Sequence, residues 1–399
     1  MKLKENDNVP EIRFDSFKEE WDKKRFKDFT KLSQGLQIAI SSRFLEDGEH
    51  RYFYITNEFL NPNSTKKYYI ESPSENVICT VDDILMTRTG NTGKVITNIS
   101  GAFHNNFFKV DYDKFETSKM FLYYLLTSND IQKEIIIRAG NSTIPDLNHS
   151  DFYSIKTSVP ALDEQTAIGA LFRTLDDLLA RYKDNLTNYQ SLKATMLSKM
   201  FPKDGQTVPE IRLDGFEEEW GKDTLEPYLT ESRISGDTGL TAKKITVKLW
   251  GKGVIEKEEK YAGSSNTQYF IRKGGQFIYS KLDFQNQAFG IIPNELNGYQ
   301  STLDLPTFDI QNIDSKFLLE YVMRREFYEY QGLIANGSRK AKRIHPEDFL
   351  VMPVRIPSIE EQQAIGAYFS NLDNLINSHQ EKISQLEILK KKLLQEMII

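Results

Sequence analysis

The chain has 399 residues, 19 Tyr and 25 Phe among them, a length that admits two or three domains. One cysteine, Cys79, excludes an internal disulfide framework and any multi-cysteine zinc site, and no apolar run approaches the roughly 18 residues of a membrane span. A net charge of −6 argues mildly against a nonspecific nucleic-acid coat protein while leaving local binding faces open.

From its start, Met1 to Asn8 is polar and charged without an apolar core, so no signal peptide is expected and the expected location is cytoplasmic. Residues 9–21 (VPEIRFDSFKEEW) recur at 208–220 (VPEIRLDGFEEEW), with 10 of 13 positions identical. Each copy of this lead precedes a variable region of about 130 residues with little shared sequence but shared punctuation. Short apolar strands separated by Gly, Asn and Ser turns come first, as in ICTVDDILMTRTGNTGKVIT and YFIRKGGQFIYSKLDFQNQAFGIIP. One amphipathic helical stretch follows, at 118–136 and 315–334, and then a Gly loop and a strand. Two α+β globular regions are therefore expected, alike in skeleton and divergent in loops, and divergent loops on a common scaffold are where recognition usually resides.

Each variable region leads into a long helix, 160–200 and 357–397, at a constant offset of 197 with 15 of 41 positions identical. Both helices open on Pro followed by acidic residues and Glu-Gln, suited to the positive end of the dipole. Apolar residues then alternate at steps of four and three: Ile168, Phe172, Leu175, Leu179, Tyr182, Leu186 and Tyr189 in the first, and Ile365, Phe369, Leu372, Ile376, Ile383, Leu386 and Leu393 in the second. That heptad seam predicts a coiled coil, each helix finding its partner in its own copy. Lys193 and Lys390 interrupt the seam at equivalent positions. Either the stem of each lysine covers the seam while its head reaches water, or the lysine is a register device. The order of parts is cyclic, as if the termini lay side by side, which two copies with antiparallel helices would satisfy. The expected divisions are 1–158 (lead and first variable region), 159–201 (first helix), 202–355 (linker, lead and second variable region) and 356–399 (second helix).

Catalytic patterns are absent from this reading. No glycine-rich cofactor loop with a methyltransferase motif appears, nor a carboxylate cluster followed by Glu-x-Lys, nor histidines at metal-ligand spacing. Nucleic-acid chemistry fits better. Thr87, Arg88, Thr89, Asn91, Thr92 and Lys94 place hydroxyl, amide and cationic donors among glycines, in a pattern suited to phosphate and base-edge contacts. Ser338, Arg339, Lys340, Lys342 and Arg343 concentrate four cations in six residues, and like charges repel unless a polyanion or carboxylates face them. The equivalent first-copy loop holds the uncharged donors Asn141, Ser142 and Thr143.

Two variable regions, a circular repeat and the twice-occurring string P-x-x-x-E-Q-x-x-I-G (Pro160, Glu164, Gln165, Ile168, Gly169; Pro357, Glu361, Gln362, Ile365, Gly366) closely resemble the specificity subunit of type I restriction–modification enzymes. The resemblance spans essentially the whole chain. It implies two target recognition domains, each reading one half of a bipartite, asymmetric site in double-stranded DNA, joined by an antiparallel coiled coil that sets the spacer. It implies a non-catalytic subunit with no cofactor of its own and no membrane association. Its partners would be two methyltransferase subunits and motor-nuclease subunits, the assembly using S-adenosylmethionine and, with the motor-nuclease, ATP and Mg. The sequence leaves two other classes open: a standalone two-headed DNA-binding regulator, and a coiled-coil scaffold whose variable regions bind protein.

Overall fold

A computed structural model describes residues 8–140, 143–258, 263–334 and 343–399. The chain divides into two units, residues 1–183 with 381–399 and residues 184–380. Each unit therefore contains the beginning of one long helix and the end of the other.

In the first unit a four-stranded antiparallel sheet has the order Thr30–Gln34, Phe107–Tyr112, Ile84–Thr87, Val95–Thr97. All four residues of Ile84–Thr87 are buried, as expected of an apolar run covered on both faces. A second sheet has the order Tyr69–Glu71, Arg51–Ile55, Gly101–Phe103, Ile78–Cys79 and includes one parallel pair. The second unit repeats the first sheet strand for strand: Leu229–Glu231, Thr307–Ile310, Phe277–Tyr279, Phe289–Ile291. It does not repeat the second sheet. In its place are the three strands Ile234–Thr238, Gln268–Ile271 and Gln300–Ser301 and a separate hairpin, Ile245–Val247 with Val254–Glu256. The shared skeleton and the divergence thus lie in different layers of each unit.

The long helices are Leu162–Lys199 and Ile359–Met397. Within the first unit, Asp176 bonds Lys390 while Lys183, two turns further along, lies 2.7 Å from Glu387, which precedes Lys390. The helix segments there run antiparallel. In the second unit Tyr189 stacks edge-on against His379 at 5.2 Å and Lys193 reaches back to Asp373, giving the same sense. Ile168, Phe172 and Leu175 share one core with Leu386, Leu393 and Met397. Ile365, Phe369 and Leu372 share the other with Tyr189, Met196 and Met200.

The seam is not buried uniformly. Ile168, Phe172, Leu175 and Leu179, and Ile365, Phe369 and Leu372, are buried, whereas Tyr182, Leu186, Tyr189, Ile376, Ile383, Leu386 and Leu393 are half-buried. The difference has a cause in each unit: the first turns of each long helix also pack on the short helices Lys119–Thr127 and Ser315–Val322, whose Phe121, Leu122, Phe317 and Leu318 belong to the same cores. Both interrupting lysines are cross-helix partners. Lys193 Nζ lies 2.7 Å and 2.8 Å from the two oxygens of Asp373 and 3.2 Å from Glu320, and Lys390 bonds Asp176, the counterpart of Asp373.

Candidate nucleic-acid interface

The Pro-x-x-x-Glu-Gln string ties each lead and the start of each short helix to the first turn of a long helix. Glu164, 2% exposed, accepts from Arg13 Nε and Nη2 at 2.6 Å each, and from the Trp21 indole at 3.2 Å. Glu361 accepts from Arg212 at 2.8 Å and 2.7 Å in the same way. The arginines belong to the two leads, so each lead is anchored on the first turn of its long helix. Gln165 accepts from the Ser118 amide at 2.9 Å and donates to the Pro160 carbonyl at 2.8 Å; Gln362 makes the equivalent bonds to the Asp314 amide and the Pro357 carbonyl at 2.9 Å and 3.0 Å. A β-carbon on Gly169 would sit 2.9 Å from Met120 Cβ, and one on Gly366 would sit 2.9 Å from Lys316 Cβ, so glycine permits the short helix to approach. In the sequence these acids stand as a favourable first turn and as part of a repeated string, with no partner assigned. An Arg and a Glu repeated at fixed places in both copies was the available sign of a pair.

The 87–94 loop follows the buried strand Ile84–Thr87, and most of its polar groups are occupied. The Thr87 hydroxyl donates to the Asn91 carbonyl at 2.5 Å, and the Thr92 hydroxyl to Pro145 at 2.6 Å. Arg88 pairs with Asp146 at 2.7 Å, and Asn57 donates to the carbonyls of Thr89 and Gly90 at 3.0 Å and 2.9 Å. Gly90 and Asn91 turn the chain through φ values of +63° and +64°. These bonds hold the loop rigidly and leave Asn91 and Lys94 exposed, with Thr89 half-buried. Behind it, burial and the Arg88 charge hold the His149 imidazole below its ordinary range. Thr143 is exposed. Asn141, Ser142, Ser338, Arg339, Lys340 and Lys342 lie outside the described residues. Arg343 is half-buried, 3.8 Å from Asp304. Among the described residues, no three His, Cys, Asp or Glu side chains gather as a metal-binding group, and no helix is long and apolar enough to cross a membrane.

The model of the type I restriction modification DNA specificity domain matches this chain twice, over residues 18–188 and 236–388. The chain belongs to that family. The first match begins within a lead and the second beyond one, and each runs through a variable region into a long helix, so this specificity-domain protein contains the family's unit in duplicate, and DNA recognition is its role. The specificity subunit of the type I restriction enzyme MjaVIII from Methanocaldococcus jannaschii is 22% identical over 99% of this chain and 96% of its own length. The crystal structure of a type I restriction-modification S subunit from M. genitalium matches with a TM-score of 0.61 at 15% identity, covering 98% of this chain and 99% of that one. A chain from a study of complex assembly and conformational transition in the type I R-M system matches at 0.50 and 14% identity, covering 94% of this chain and 97% of its own. The two solved chains share the fold of this one.

Proposed function

We propose that each variable region reads one half of a bipartite, asymmetric DNA site, and that the long helices set the gap between the halves. The observation that carries this reading is the division of layers: both units keep one four-stranded sheet and one Arg–Glu anchor, and differ in the second sheet and its loops. An invariant frame bearing two different reading surfaces suits a non-palindromic site with fixed half-site spacing. Asn91, Lys94 and Thr143 in the first region, and the cationic 338–343 run in the second, are the groups we assign to DNA, with cations on phosphates and amides or hydroxyls on base edges. Thr87, Arg88, Thr89 and Thr92 support that surface from within. The divisions 1–158, 159–201, 202–355 and 356–399 describe the functional modules in this reading.

The chain performs no chemistry in this proposal. It docks two methyltransferase subunits along its helices, and motor-nuclease subunits join the larger complex. S-adenosylmethionine, and ATP with Mg, serve those partners, in the cytoplasm. Methylation requires the target adenine to leave the stack, and this chain's contribution is to place the enzyme there. The test replaces residues 22–158 with the matching region of another family member and maps methylated adenines across a genome modified by the chimera. One half-site should change and the other persist; a change in both would defeat the two-reader scheme.

A further inference from the structure

Of the three tryptophans, Trp21 and Trp220 are each 1% exposed, whereas Trp250 is 58% exposed. It stands at the tip of the hairpin formed by Ile245–Val247 and Val254–Glu256, a separate two-stranded hairpin of a kind absent from the first unit among the described residues. Val247 and Val254 turn inward onto a small core with Ile278 and Ile292, which leaves the tip facing outward. Trp250 has a φ of +59°, a left-handed conformation that is uncommon for any side chain and a true outlier for a bulky one. Such strain persists only where the surroundings enforce it, and here they do. The Trp250 and Gly251 amides donate to the Asn286 and Gln287 carbonyls at 2.8 Å and 3.0 Å, and the Lys248 amide closes the tip onto the Gly253 carbonyl at 2.8 Å. A large apolar ring is thus left mostly exposed on a left-handed backbone that the surrounding hydrogen bonds hold in place.

The charge around the ring says what would cover it. Between Asp237 and Glu256 the sequence has four lysines and no carboxylate; Lys244 is buried against the Gly239 carbonyl, and Lys243, Lys248 and Lys252 are exposed. Lys248 and Lys252, two residues to either side of Trp250 in the sequence, are exposed and make no ion pair among the described residues. An aromatic face between two uncompensated cations matches a polyanion with flat apolar surfaces inside it. We propose that the tip Lys248–Gly253 is a DNA-contacting element of the second recognition region, with Lys248 and Lys252 on phosphates and the Trp250 indole against bases or sugars in a groove of the duplex. Aromatic stacking and apolar wedging tolerate sequence, so this contact anchors the region while the neighbouring loops discriminate. The inference rests on the DNA-reading role proposed above.

The test uses the full chain and a duplex selected by it from a randomised pool. Binding is followed by the anisotropy of dye-labelled DNA, and in parallel the tryptophan emission is quenched with acrylamide. Because the other two indoles are buried, Trp250 dominates the quenchable signal. DNA that binds through this tip should lower the quenching slope severalfold. Trp250→Gly keeps the left-handed backbone at no steric cost, so the hairpin survives, and affinity should fall about tenfold for the loss of one aromatic contact. Lys248→Gln with Lys252→Gln should reduce the slope of log affinity against log salt by about two. DNA binding with unchanged quenching and a normal affinity for Trp250→Gly would overturn the inference and leave the DNA-reading role standing. If no duplex binds, both fall together. Protection of Trp250 only when a purified methyltransferase subunit is added would make the tip a protein-docking element, which also overturns it.

Discussion

The amide of Ile12 donates to the carbonyl of Glu396 at 3.1 Å, near the two ends of the chain, and the amide of Ile211 donates to the carbonyl of Lys199 at 3.0 Å in the middle of it. Glu396 and Lys199 stand at the repeat offset of 197. The same joint is therefore made twice, once between segments linked by a short polar stretch and once between segments with nearly the whole chain separating them. Trp21 and Trp220 repeat the arrangement, their amides donating to the carbonyls of Asn8 and Thr207 at 2.9 Å each. Removing residues 8–14 should consequently destabilise the first unit as severely as cutting out 207–213 destabilises the second. Thermal unfolding followed by limited proteolysis would check this, and an N-terminal deletion without effect on stability would contradict it.

The Arg–Glu anchors should be costly to break from one side. Removing one partner of a buried pair leaves the other charged and desolvated, at a cost of about 3–5 kcal/mol. Glu164→Ala and Glu361→Ala should each lower the urea midpoint by a corresponding amount, with the Arg13→Met/Glu164→Leu double variant recovering much of the loss. Equal damage from single and double variants would show that the charge is not the issue.

The two buried indoles should respond differently to truncation. Trp21 donates to Glu164 at 3.2 Å, while the equivalent nitrogen of Trp220 is buried with no partner among the described residues. Trp21→Phe loses a hydrogen bond to a charged group, worth about 1.5–3 kcal/mol, whereas Trp220→Phe removes an unsatisfied donor. Trp220→Phe should be the milder substitution by calorimetry.

Lys193 and Asp373 should be energetically coupled, as should Lys390 and Asp176. In a double-mutant cycle, Lys193→Met and Asp373→Leu should together cost less than the sum of the two, by about 0.5–3 kcal/mol for residues in one network. Strict additivity would mean that the ion pair contributes nothing to register.

Glu320 shares Lys193, and its environment makes stability depend on pH. Burial outweighs the lysine's attraction and raises the Glu320 carboxyl above its ordinary range. A carboxyl raised in the folded state contributes stability in full below its unfolded value, about 4.3, and that contribution is lost as pH rises through the folded value. Glu320→Gln should therefore gain on the wild type as pH increases from the acid side to neutrality. A difference between the two midpoints that stays constant with pH would rule the effect out.

Lengthening both long helices by four residues at their midpoints adds about 6 Å of helix and nearly keeps the seam in phase. With about 3.4 Å per base pair, the gap between half-sites should change by one or two base pairs while their sequences persist. Methylated-adenine mapping would reveal either outcome, and altered half-site sequences would count against a spacer role.

Periodicity and repetition were legible in the chain because they are local or self-referential. The four-three spacing from Ile168 to Tyr189 defines a stripe on any α-helix, and two closely similar leads announce a duplicated plan before any atom is placed. Their partners could not be read in the same way. Arg13 meets Glu164 across 151 residues, and Lys193 meets Asp373 across 180, separations that no window of periodicity spans. The loop at 87–94 looks in sequence like a set of free donors, yet the carbonyls of Asn91 and Pro145 and the carboxylate of Asp146 take those of Thr87, Thr92 and Arg88. The exposure of Trp250 likewise depends on backbone bonds from its tip to the carbonyls of Asn286 and Gln287 in another turn. Composition and spacing determined which elements form and that the plan occurs twice. Only tertiary packing decided which polar groups remain available, because most buried donors find an acceptor, and that acceptor can come from anywhere in the chain.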